Sequence, residues 1–228
     1  MTKMAQLTLP LDHAPCYGRD SFFVGPHNSL AYEALCGPSA ARARVSFLWG
    51  DAGCGKTHLA HIWSQDHGST FLDKACLDQQ TLMEEVAQAK ALVLEDLENL
   101  SAYEEALFHL LNIVKELGKP LLLTSNVRAQ DLPFVLPDLR SRLLALPAFH
   151  IDAADDHSRT AYLYKCFSDR QIKVPPSLVQ DILARTPRGF HDLAWVARRL
   201  CEASLRTKKA PSRQLLKEIL EEGTPLAP

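Results

Sequence analysis

No apolar stretch of this 228-residue chain approaches membrane-spanning length, and its first residues lack the charged-then-apolar pattern of a secretory signal. Its cysteines never pair as C-x-x-C: Cys16, Cys36, Cys54, Cys76, Cys166 and Cys201 are scattered. That spacing argues against a disulfide framework or a zinc site and fits a reducing cytoplasm. A large net charge is missing too. At −2 the whole molecule is no general binder of polyanions. What is present is 46% apolar and 23% charged residues, suiting a soluble globular protein with an ample core. The length exceeds a minimal domain and falls short of two full-sized ones.

Against that background one stretch carries a chemical message. Gly50-Asp51-Ala52-Gly53-Cys54-Gly55-Lys56-Thr57 follows the apolar run Val45–Trp49 and precedes His58–Ser64, where Leu59, Ile62 and Trp63 recur at helical spacing. Strand, glycine-rich turn and helix form the setting of a phosphate-binding loop. The glycines let the backbone turn its N–H groups around phosphate oxygens, and the new helix, with His58 just inside it, points its positive end at the same anion. Lys56 is placed for the β- and γ-phosphates and the Thr57 hydroxyl for Mg²⁺. Cys54 reads as a tolerated small residue sooner than as a redox switch.

The N-terminal stretch alternates Leu7, Leu9 and Leu11 around Pro10, then passes into a polar segment, Asp12 to Asp20. Two readings stand level: an edge strand of the protein's own sheet, or an extended peptide that docks in a partner's groove. Phe22, Phe23 and Val24 form an apolar patch before a short helix with Asn28 as N-cap and Gly37 as its closing C′ residue. The patch packs in the core or covers an adenine ring. Short strands are expected at Thr70–Asp73, Ala91–Asp96, Pro120–Thr124 and Phe149–Ile151, with helices at Leu77–Ala89 and Tyr103–Leu117.

The Ala91 run ends in Glu95 and Asp96. Ligands of open parallel sheets sit at the strands' carboxyl ends, where one acid supports Mg²⁺ and the other polarises the attacking water. By position Glu95 is the metal-side acid and Asp96 the hydrolytic one. Asn126, just past the next buried strand, is placed for the γ-phosphate or its water. Beyond Asp155 the pattern is helical only: Asp155–Asp169, Pro176–Arg185, His191–Arg206 and Ser212–Glu222. The basic stretch Arg185–Lys217 contrasts with the acidic Asp78–Glu105; the ordinary reading is solvated helix faces, the sharper one head-to-tail self-assembly.

Taken together these motifs resemble the AAA+ ATPases, and more narrowly the DnaA initiator family. FFVGPHNSLAYEAL is similar to its opening box and WGDAGCGKTHLAHIW to its P-loop; LVLEDLE, LLLTSN and LRSRL follow in the order of Walker B, sensor 1 and arginine finger. The resemblance implies an α/β P-loop domain, with a parallel five-stranded sheet and helices on both faces, over residues 21–153. It implies an all-helical lid over 154–228 and a terminal peptide and linker over 1–20. It implies ADP or ATP with Mg²⁺ as cofactors, Arg142 as the finger with Arg140 beside it, and Arg188, in preference to His191, as sensor 2. Val24 joins the nucleotide-binding set.

Gln6, Leu7, Leu9 and Leu11 resemble the peptide by which partners dock on the sliding clamp, the β subunit of DNA polymerase III. The chain is expected to lack the helix-turn-helix domain of initiators. The implied function is regulatory: a cytoplasmic, clamp-bound protein, contacting DNA through the clamp, that stimulates hydrolysis of ATP held by the DnaA initiator. Glu95 stands where the family favours Asp, which implies weak or no ATPase activity of its own. The alternative is a self-sufficient ATPase such as a helicase loader of the DnaC type.

Overall fold

The computed structural model describes residues 17–38, 43–77, 79–207 and 209–221. The docking peptide at Gln6, Leu7, Leu9 and Leu11 lies outside the described residues. In chain order the elements are α1 (Ser29–Cys36), β1 (Val45–Trp49), α2 (Lys56–His67), β2 (Thr70–Phe71), α3 (Gln79–Gln88), β3 (Leu92–Leu94) and α4 (Glu104–Leu117). There follow β4 (Leu121–Ser125), α5 (Pro137–Leu144), β5 (Ala148–His150), α6 (Asp156–Ser168), α7 (Pro176–Arg185), α8 (Phe190–Thr207) and α9 (Arg213–Glu221).

The strands form one five-stranded sheet in the order β2-β3-β4-β1-β5, every neighbouring pair parallel. Parallel strands need crossovers, which α2, α3, α4 and α5 supply. Side chains alternate across the strands. Phe47, Leu92, Leu94, Leu121 and Leu123 enter a core with Leu107, Leu110 and Val114 of α4. Leu48, Val93 and Leu122 enter the opposite one, with Leu59, Ile62 and Trp63 of α2 and Leu35 of α1. Both faces of β3 and β4 are therefore covered, which is why these strands read as unbroken apolar runs. A third core, around Leu163, Phe167, Ile182, Val196, Leu200 and Ile219, joins α6 to α9. No helix among the described residues is long and apolar enough to cross a membrane.

Several local expectations are corrected. Asn28 precedes α1, but its side chain turns back: Gly25 N donates to its Oδ1 at 2.8 Å and its Nδ2 donates to Phe23 O at 2.9 Å. Gly37 is extended (φ −77°, ψ 169°), not left-handed; what requires glycine is closeness, since an added Cβ would meet Glu33 O at 2.5 Å. The expected helix from Leu77 to Ala89 is broken into a 3₁₀ turn, Lys74–Leu77, and α3. Asp155 lies outside α6 as its cap, accepting from Ser158 N at 2.7 Å.

Register sets up the site. Trp49 lies opposite Ser125, and Leu94 opposite Leu123. The segments that follow β1, β4 and β3 therefore leave the sheet at one rim, with that of β4 in the middle.

Candidate nucleotide site

The loop from Gly50 ends in a left-handed Gly55 (φ +109°), and α2 begins at Lys56. Its first N–H groups, without partners in the preceding turn, and its positive end are thereby turned to the loop. Lys56 is only 6% exposed; its ammonium donates to Gly50 O at 2.7 Å, Asp51 O at 3.0 Å and Asn126 Oδ1 at 2.8 Å. Lys56 and Asn126, seventy residues apart in sequence, are thus in direct contact. Asp51 and Ala52 are exposed on the outer turn. Cys54 is buried, and that burial pushes its thiol up, so it stays protonated and unreactive.

Thr57 and Glu95 are likewise brought near one another. Burial pushes the Glu95 carboxyl up, and the neighbouring Thr57 hydroxyl opposes that shift. Asp96 sits in the left-handed region (φ +56°), which an Asp side chain tolerates, and is exposed. A hydroxyl beside a carboxylate is a donor set suited to a hard divalent cation.

A residue absent from the sequence reading organises this rim. Glu98, in the 3₁₀ turn Leu97–Asn99, accepts from Ser125 Oγ at 2.8 Å and from Asn126 N at 3.1 Å, and its other oxygen accepts from Asn126 Nδ2. Nothing local marks it, because its partners belong to the adjoining strand.

The remaining candidates are more widely distributed. His58 gives its Nε2 to Gly18 O at 3.0 Å and packs edge-on against Phe22, so its ring serves the segment before α1. The apolar patch divides: Phe22 is buried in the α2-side core, Phe23 meets Tyr162 and Phe190 of the helical part, and Val24 is 44% exposed. Arg188 pairs with Asp156 at 3.0 Å, and His191 lies 3.9 Å from Asp192. The neighbours of Arg188 touch the P-loop: Phe190 N donates to Gly53 O at 3.2 Å, and a Cβ on Gly53 would come within 3.1 Å of Gly189 Cα. Arg159, 3% exposed, steadies that approach by donating to Thr186 O at 3.2 Å and Pro187 O at 3.1 Å. Arg142 bonds Asn112 Oδ1 on α4 and lies over the Phe108 ring at 4.4 Å. Arg140 is exposed and reaches Phe134 O at 3.3 Å.

No family model matches the chain. An uncharacterized protein of Haemophilus influenzae is 27% identical over 227 residues, covering 94% of this chain and 98% of that protein. The chromosomal replication initiator protein DnaA of Clavibacter sepedonicus is 22% identical over 232 residues, covering 91% of this chain and 49% of the initiator. The chain thus spans about half the length of the DnaA relatives it matches. Among solved structures, domain III of Thermotoga maritima DnaA superposes with a TM-score of 0.72 at 20% identity, covering 92% of this chain and 97% of that one. AMPPCP-bound DnaA from Aquifex aeolicus gives 0.68 at 21% identity, covering 92% and 69%.

A parallel sheet with β4 between β1 and β3, followed by the four helices α6 to α9, defines the AAA+ fold. Within that class, the chain is similar to DnaA initiators over about half of their length.

Proposed function

We propose that the chain is an Hda-type regulator of replication initiation. In this reading it binds ADP with Mg²⁺ between an α/β part (21–153) and a helical lid (154–228), docks on the sliding clamp through Gln6, Leu7, Leu9 and Leu11, and stimulates hydrolysis of ATP held by the DnaA initiator. Lys56 and the loop amides hold the diphosphate, Thr57 and Glu95 hold the cation, and Arg188 reaches the nucleotide from the lid. The AMPPCP bound in DnaA of the same fold supports nucleotide binding. A DnaA-like AAA+ fold supports a role connected with replication initiation.

The observation that carries the regulatory reading is the setting of Arg142. It rests on α4 against Asn112 and Phe108, whereas Lys56 meets Asn126 at the end of the sheet. An arginine held against α4 by Asn112 and Phe108 is suited to serve a neighbouring protein's nucleotide. Such a finger is worth on the order of 10³–10⁵ in rate where it stabilises the transferring phosphoryl group.

One reconstituted assay tests both halves. DnaA-bound ATP hydrolysis is measured with clamp loaded on DNA and with wild type, Arg142→Ala, or a variant carrying Gln6, Leu9 and Leu11 all changed to Ala. Wild type is expected to stimulate. Arg142→Ala should bind clamp and nucleotide yet fail to stimulate, and the triple variant should lose clamp binding at an unchanged melting temperature. Equal stimulation by wild type and Arg142→Ala removes the finger; a lowered melting temperature in the triple variant favours an edge strand.

A further inference from the structure

Asn126 is gripped from two sides by groups whose chemistry leaves no ambiguity. Glu98 accepts its Nδ2 with one carboxylate oxygen and its backbone N–H, at 3.1 Å, with the other. Ser125 Oγ, on a residue with 0% exposure, donates to that second oxygen at 2.8 Å. From the opposite side the Lys56 ammonium donates to Asn126 Oδ1 at 2.8 Å. A carboxylate can only accept and an ammonium can only donate, so one amide orientation satisfies both. The reverse orientation would set oxygen against carboxylate and NH₂ against ammonium, two mismatches in a partly buried network.

The consequence concerns which phosphates the site prefers. An asparagine at this rim can present an NH₂ donor to a terminal phosphate. Here the NH₂ is held by Glu98, and the edge that faces the P-loop lysine is the carbonyl oxygen. A third phosphate would bring further anionic oxygens toward that acceptor, whereas a diphosphate ends one group earlier.

We propose that Glu98 is a positioning residue: by holding the Asn126 amide with its oxygen toward Lys56, it makes the site favour nucleoside diphosphates over triphosphates. This rests on the nucleotide-binding reading above.

The test compares ADP with AMPPCP, each with Mg²⁺, by titration calorimetry on the full chain as wild type and as Glu98→Gln. The glutamine keeps the size of the side chain but can donate to Asn126 Oδ1, which lets the amide turn. Wild type is expected to bind ADP more tightly, and the ratio of AMPPCP to ADP dissociation constants should fall about fivefold in Glu98→Gln, the worth of one net hydrogen bond. General loosening of the fold would weaken both nucleotides together and leave the ratio alone. An unchanged ratio, or a wild type that binds the two equally, overturns the proposal while nucleotide binding stands. Binding of neither nucleotide by wild type removes the nucleotide reading itself.

A second measurement needs no folded Glu98 variant. In ¹⁵N-labelled wild type the Asn126 side-chain NH₂ signals, assigned by their loss in Asn126→Ala, should stay protected from solvent exchange when AMPPCP is added. Loss of that protection would show that the triphosphate turns the amide freely, and would overturn the proposal.

Discussion

At Gly53 the backbone stands at φ +76°, and an added Cβ would come within 3.1 Å of Gly189 Cα. Two separate demands meet in this residue. Left-handed backbone costs a residue with a side chain roughly 1–2 kcal/mol. The short approach also means that any side chain pushes the start of α8 away, straining the bond from Phe190 N to Gly53 O at 3.2 Å. Gly53→Ala is therefore expected to lower unfolding free energy by about 1–2 kcal/mol. It should weaken nucleotide binding about tenfold, because P-loop and lid shift together. Urea unfolding and nucleotide titration on the same preparation check the two parts. Unchanged nucleotide affinity would mean that the contact with α8 serves the fold alone.

Among the elements, α5 shows how a polar residue is aimed by apolar ones. Leu139 is 0% exposed and Leu143 2%, and both enter the core that α4 dominates. Arg142, on the same short helix, is thereby laid along α4 onto Phe108 and Asn112. Leu139→Ala should cost about 2–5 kcal/mol, measured by denaturant unfolding, and should release Arg142 from α4. A loss well below that range would show that the helix collapses into the gap. The same elements explain what sequence could reveal. β1, β3 and β4 announced themselves because burial on both faces demands unbroken apolar residues. The limits of β2, β3, β4 and β5 all shifted by one or two residues, as the ends of elements do. Lys56, Thr57, Glu95 and Asn126 could be picked out as candidates because they lie in recognisable runs just past β1, β3 and β4. Glu98 was not, since its role depends on which strand lies beside β3. The Gly53–Gly189 approach was equally hidden: it joins loops far apart in the chain, and glycine there looks like any turn residue.

Over the whole molecule, the α/β part and the lid share a small buried junction at His27. Its ring is 5.2 Å from that of Phe190 on α8 and 6.4 Å from Phe23, while its carbonyl accepts from Asp152 N, just beyond β5, at 3.0 Å. His27 is 7% exposed, and neither ring nitrogen has a hydrogen-bond partner. Burial therefore lowers its pKa from the ordinary 6.5, against the opposing pull of Asp155 and Asp152. In the folded protein the ring resists protonation, while in the unfolded chain it accepts a proton near its ordinary value. Between the lowered pKa and 6.5 the unfolded state binds more protons, so stability falls as pH drops through that window and is fully kept above it. His27→Phe keeps an aromatic ring in the junction and removes the titration. Melting temperatures at about pH 7.5 and 5.5 should then diverge: wild type loses stability on acidification by more than the variant does. Because the junction joins lid to sheet, the wild-type lid should loosen first, seen as earlier loss of amide protection in α8 than in β4. Parallel acid losses in the two proteins would assign the effect to the other histidines lowered by burial, His58 and His61 on α2.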